Sequence, residues 1–167
     1  MRAMVSITTQ NILSADADIL VLSANPSLLA GSGISGMIHK AAGPELEKAA
    51  KPQGPLEAGL AVITPGFNLS AKYVIHTVCP RYMDGKRGEK ELLSAAYANT
   101  LQFFKQVPEA RSIAFVSMGT GVYKWPLELA AEIAVRELLK SQFERTYMCV
   151  INEVTRLAYE SKIQKFT

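Results

Sequence analysis

Apolar residues recur along this chain in two periods, and the switches between them mark the elements. Met4 to Thr8 alternates apolar with polar positions and is β-branched in character, which predicts a half-buried strand. Ile19 to Ala24 is a continuous apolar run of strand length, the pattern of a strand covered on both faces. From Ile34 the period lengthens. Ile34, Met37, Ile38 and Ala41 predict a helix that is interrupted at Gly43-Pro44 and resumes from Leu46 to Ala50. Lys51 to Pro55 is loop by composition, and Leu60 to Thr64 and Lys72 to Val78 read as two strands around a turn at Pro65-Gly66. After the polar segment Pro80 to Gly88, the residues Glu91, Leu92, Ala95, Ala96, Asn99, Leu101 and Phe103 mark a long amphipathic helix ending near Pro108. Arg111 to Ser117 is a strand and Met118 to Trp125 a glycine-bearing loop. Pro126 is predicted in the first turn of a helix reaching about Ser141, where a missing N–H costs nothing. Tyr147 to Ile151 reads as a last strand and Val154 to Ile163 as a terminal helix.

Strands alternating with helices predict an α/β fold, a three-layer α/β/α sandwich with helices on both faces of a mostly parallel sheet. The early strands that follow one another without a helix make that sheet mixed. A chain of 167 residues matches one average domain, so residues 1–167 are read as a single unit. In such folds ligands bind beyond the carboxyl ends of the strands. The loops after Ala24, Val78, Ser117 and Ile151 are therefore where chemistry is expected.

Composition narrows the function classes. With 49% hydrophobic and 20% charged residues the chain is ordinary for a soluble protein. Its net charge of +3 is scattered and forms no basic run, which argues against a dedicated nucleic-acid surface and suits an anionic small ligand. No stretch approaches the roughly 20 apolar residues of a membrane span, and the N-terminus lacks the apolar core of a signal peptide. Two cysteines, Cys79 and Cys149, are too few for a disulfide framework, so a cytoplasmic location is expected. No cofactor and no metal is expected, because neither His39 nor His76 stands at ligand spacing to the other or to a cysteine.

Two glycine loops carry the candidate chemistry. Gly31-Ser32-Gly33-Ile34-Ser35-Gly36 satisfies G-x-G-x-x-G and leads into a helix, so backbone N–H groups can approach a pyrophosphate there. A Rossmann site is disfavoured, since Asn25 to Ala30 separates the strand from the first glycine and the next strand ends in Thr64, where an acid is expected. Gly119-Thr120-Gly121-Val122-Tyr123 follows another buried strand, and the chain has no G-K-[ST], which excludes a P-loop NTPase. Two such loops at one sheet edge suggest two backbone walls gripping a diphosphate.

With these motifs in order, Asp18 to Gly43, the segment AVITPGFNLSAKYVIHTVCP and the segment SIAFVSMGTGVYKWP resemble a macro domain, the module that binds ADP-ribose and its derivatives. The resemblance covers nearly the whole chain. It implies that Asn25 contacts the distal ribose, that residues 31–36 wrap the pyrophosphate, and that Ser117 and Gly119 to Tyr123 form the second phosphate loop, Tyr123 packing on the distal ribose. It places Asn11, followed by Ile12, where the family has an Asp that holds the adenine amino group. ADP-ribose, free or on an ADP-ribosylated protein, is the implied partner.

The departures bear on activity. Ser35 stands where hydrolytic members carry an Asp, and Leu22 where the strand motif has its first Asn. A serine hydroxyl does not ionise near neutral pH and is a poor general base. Hydrolysis of a distal-ribose ester or of a protein-ADP-ribose bond would then need a water held over Asn25 by the substrate phosphate, with Asn25 and Ser35 as the candidate catalytic pair. Binding without turnover, hydrolysis, and single-stranded RNA binding through similar adenine and phosphate contacts all stay open. His39, His76 and Cys79 are expected to be structural, Lys124 and Trp125 to occupy an exposed loop, and Asp16, Asp18 and Asp84 to serve turns or strand ends.

Overall fold

The computed structural model describes residues 4–119 and 123–167. Thr120, Gly121 and Val122, expected in the second phosphate loop, lie outside the described residues. Six strands, β1 (Met4–Thr8), β2 (Ile19–Ala24), β3 (Ala61–Pro65), β4 (Tyr73–Val78), β5 (Ser112–Val116) and β6 (Arg145–Cys149), form one sheet in the order β1-β6-β5-β2-β4-β3. All neighbouring pairs are parallel except β3 with β4. The helices are α1 (Gly33–Ala42), α2 (Glu45–Ala50), α3 (Glu89–Leu101), α4 (Leu127–Leu138) and α5 (Glu153–Phe166).

The chain steps one way from β2 to β4 and the other way from β4 through β5 to β6. Right-handed crossovers therefore place α1 and α2 on one face of the sheet and α3 and α4 on the other, with α5 beside α4. This is the mixed three-layer sandwich that the element order predicts. β2, β4 and β5 lie in the middle of the sheet and are almost wholly buried, which is why they are continuous apolar runs. α3 turns Leu93, Ala96, Tyr97 and Thr100 inward and α4 turns in Ala130, Ala131, Ala134, Val135 and Leu138, each set on one helical face. Lys162 and Lys165 of α5 pair with Glu128 and Glu132 of α4 across the seam. Exposed pairs of this kind add at most about 1 kcal/mol, so apolar burial holds the helices down.

Several boundaries differ from expectation. The last strand is Arg145–Cys149, two residues earlier than the apolar run suggests: the Val150 N–H makes the last bond to β1, donating to the Thr8 carbonyl at 2.8 Å, and Ile151 beyond it is exposed at the rim of a cavity. β3 takes in Pro65 and leaves out Leu60; as an edge strand it can spare a proline's N–H. The long helix starts at Glu89 and its last turn, Gln102–Lys105, tightens to a 3-10 helix. Pro126 is the N-cap of α4, with extended ψ 131°, and lies just outside the first turn. Among the described residues no helix is long and apolar enough to cross a membrane.

Candidate ligand-binding cleft

Because β2, β5 and β6 run parallel, their carboxyl ends meet at one edge, and there the structure opens a cleft of about 660 Å³. Its floor is Ser23 to Asn25, Val116 and Ser117, and Cys149 and Val150. One wall is Gly31 to Ser35, the other is Gly119, Tyr123 and Trp125, and Ile151, Asn152 and Thr155 stand at the start of α5. No Asp, Glu, Lys or Arg is among the described lining residues.

The first wall is braced from behind. Asn25 folds the chain back on itself: its Nδ2 donates to the Leu29 carbonyl at 2.8 Å and its Oδ1 accepts from the Leu29 N–H at 3.2 Å. Leu28, buried between them, takes a left-handed φ of 59°. The Ala30 N–H donates to Glu47 on α2 at 2.8 Å. Behind the loop, Gly36 is backed against Gly31: a Cβ on Gly36 would stand 2.4 Å from the Gly31 carbonyl oxygen. Only a glycine allows that approach. The wall then ends in the N-terminus of α1, whose N-cap Ser32 makes no side-chain cap hydrogen bond. Gly33, Ile34 and Ser35, the first residues of α1, line the cleft, so the positive end of the helix dipole lies at it.

Asn25 and Ser35 converge at this wall. A Cβ placed on Gly31 would stand 3.7 Å from Ser35 Oγ and 3.8 Å from Asn25 Nδ2. The amide has a second N–H beyond the one given to Leu29, so Asn25 can both brace the loop and donate into the cleft. Of the remaining expected residues, Ser32, Gly33, Ile34, Ser117, Gly119 and Tyr123 all line the cleft. Ser117 also bonds the Tyr159 hydroxyl of α5 at 2.7 Å. Gly36 supports the wall without lining it.

Asn11 and Ile12 lie outside the lining. Asn11 Oδ1 accepts from the Leu13 N–H at 2.9 Å, capping the 3-10 turn Ile12–Ser14, and Ile12 is buried. Trp125, expected in an exposed loop, is only 3% exposed: its indole N–H donates to the Pro80 carbonyl at 2.9 Å. Lys124 beside it is exposed. Cys149, Val150, Ile151 and Thr155 also line the cleft and were not singled out by any motif, although the apolar run at the end of β6 was the available signal.

The other ionisable candidates are buried or engaged elsewhere. Burial pushes the Cys79 thiol up to about 12 and the Cys149 thiol up to about 11, so neither is a ready nucleophile. His76 is fully buried, its Nε2 2.9 Å from Thr64 Oγ1. Asp18 accepts from the Arg111 N–H and Asp84 from the Lys86 N–H.

Comparison with known proteins agrees with this geometry. A family model described as Macro domain matches residues 21–134. A macro domain-containing protein of Ralstonia nicotianae is 40% identical over 157 residues, covering 93% of this chain and 91% of the relative. An O-acetyl-ADP-ribose deacetylase of Salmonella newport is 44% identical, covering 89% of this chain and 88% of the relative. Among solved structures, a Gly-to-Val mutant of the Oceanobacillus iheyensis macrodomain, determined with ADPR, aligns at a TM-score of 0.91 and 32% identity over 99% of this chain and 97% of its own. With this fold, these glycine walls and these relatives, the chain belongs to the macro domain family.

Proposed function

We propose that this protein binds ADP-ribose, or a derivative of it that is free or attached to protein, in the cleft at the carboxyl edge of the sheet, and that it works in the cytoplasm. The observation that carries the reading is the first wall: an uncapped helix start, reached by a loop whose backbone packs on itself at Gly31 and Gly36, in a cleft without a charged lining side chain among the described residues. Such a wall selects an anion through backbone N–H groups and the helix dipole, which suits a diphosphate. The volume falls in the range of about 300–1,000 Å³ usual for small-molecule sites. The neighbour solved with ADPR supports the ligand class. The two cysteines are both free and buried, in keeping with a reducing compartment. Calorimetric titration with ADP-ribose is the test: saturable one-site binding is expected, and its absence refutes the proposal.

The second reading is hydrolysis at the distal ribose, favoured by the convergence of Asn25 and Ser35 and by relatives named O-acetyl-ADP-ribose deacetylase. With no carboxylate among the described lining residues, the attacking water would be held by Asn25 and deprotonated by a substrate phosphate. On this reading, turnover of O-acetyl-ADP-ribose is abolished by Asn25→Ala and kept by Ser35→Ala. Ser35→Asp, which supplies a general base at the wall, raises it by about 100-fold. A Ser35→Asp protein that binds normally and remains as slow as wild type contradicts the missing carboxylate as the limit on the rate, and an Asn25→Ala protein that binds and still turns over rules the route out.

A further inference from the structure

The loop after Val78 contributes no residue to the described lining of the cleft, yet it is held at both ends by hydrogen bonds. Glu89, the first residue of α3, is 4% exposed and directs its carboxylate back into the loop. Oε2 accepts from the N–H groups of Met83 at 2.8 Å, Asp84 at 3.0 Å and Gly85 at 3.0 Å, and Oε1 accepts from the Arg87 N–H at 2.7 Å. One buried carboxylate thus gathers four backbone donors, the arrangement that gives charge-assisted hydrogen bonds their strength.

The other end of the same loop grips the second wall of the cleft. The Pro80 carbonyl accepts the Trp125 indole N–H at 2.9 Å. The Tyr82 N–H donates to the Tyr123 carbonyl at 3.0 Å. The Tyr82 ring packs on Trp125, centroids 5.1 Å apart, and the Arg81 guanidinium stands 6.0 Å from the Tyr123 ring centroid. Tyr123 and Trp125 both line the cleft, and the Trp125 backbone N–H donates to the Gly119 carbonyl at 3.1 Å.

We propose that Glu89 is a positioning residue for the ligand cleft: by tying down residues 83–87 it turns the loop 80–88 into a strap that holds Tyr123 and Trp125 in the second wall. Burial pushes the Glu89 carboxyl up, but the N–H donors of Gly85, Met83, Arg87 and its own backbone overcome that and hold it down at about 2. The carboxylate is therefore charged near neutral pH. Its position in the first turn of α3 favours the negative charge further. The effect on ligand rests on the diphosphate reading above, whereas the effect on Trp125 does not.

Trp125 is the single tryptophan of the chain, so its emission reports the strap directly. In Glu89→Gln the amide presents N–H to N–H at one end of the nest. The expected result is a red-shifted Trp125 emission in a protein with native far-UV circular dichroism, and ADP-ribose affinity lower by about tenfold. A merely structural role would lower the melting temperature without moving the native emission. If Glu89→Gln does not fold, Gly85→Val strains the same nest, since Gly85 has a φ of 78° that a β-branched residue resists, and the same red shift is expected. Native emission in a folded variant with the nest disrupted overturns the proposal, whether or not ADP-ribose binds the wild-type protein.

Discussion

Replacing Gly36 by alanine is expected to lower ADP-ribose affinity by about 100-fold or more while leaving the protein folded. The added methyl would lie 2.4 Å from the Gly31 carbonyl oxygen and 3.3 Å from its carbon. Both are backbone atoms, so no side chain can rotate away. The segment before Gly31 cannot yield easily either, because Asn25 holds Leu29 by two hydrogen bonds and Glu47 holds Ala30. The displacement falls on Gly31, Ser32 and the start of α1, which carry the N–H groups assigned to the diphosphate. Overpacking of this kind costs about 1–3 kcal/mol of stability, small enough for most domains to stay folded. Calorimetry on the folded variant checks it, and undiminished affinity would place the ligand elsewhere.

The second large effect concerns acid. His76 is fully buried in β4, one ring nitrogen on Thr64 and the other, Nδ1, without a partner; burial first, and the neighbouring His39 second, lower its pKa from 6.5 to about 4. The folded protein therefore keeps the ring neutral where the unfolded chain takes up a proton. Stability contributed by the neutral ring is complete above about pH 6.5 and is lost as pH falls toward about 4, a loss of about 3 kcal/mol. His39, also lowered by burial, acts in the same direction. His76→Gln can keep the hydrogen bond to Thr64 but cannot titrate. Urea unfolding of the two proteins between pH 7 and about pH 4 should show a much shallower decline in the variant; parallel declines would mean that other groups govern the acid response.

What the sequence disclosed, and what it hid, follows from how local each signal is. β1 and β2 were legible to the residue because alternation and continuous apolarity are properties of the strand itself. The first glycine wall was legible because its requirement, backbone close to backbone, is written in adjacent glycines. The end of β6 was misplaced because the apolar run continues past the last bond to β1, made by the Val150 N–H, into Ile151, which is apolar at the cleft. Trp125 looked exposed because it sits in a glycine-bearing loop beside Lys124, and its actual partner, the Pro80 carbonyl, lies 45 residues away. Asn11 matched a ligand position by its place in the motif order, and its side-chain Oδ1 also accepts from the Leu13 N–H two residues on, a local capping bond that the motif does not announce. Glu89 went unmarked between the polar loop and the helical pattern that begins at Glu91, since nothing in its spacing announces a carboxylate that collects four N–H groups from the preceding loop.

The central claim is that two backbone walls hold a diphosphate between them, with a ribose beyond it. Parallel calorimetric titrations with ADP-ribose and with AMP test this most directly, because AMP offers one phosphate and no distal ribose. ADP-ribose should bind at a single site at least about tenfold more tightly than AMP. Equal affinities for the two would contradict the account.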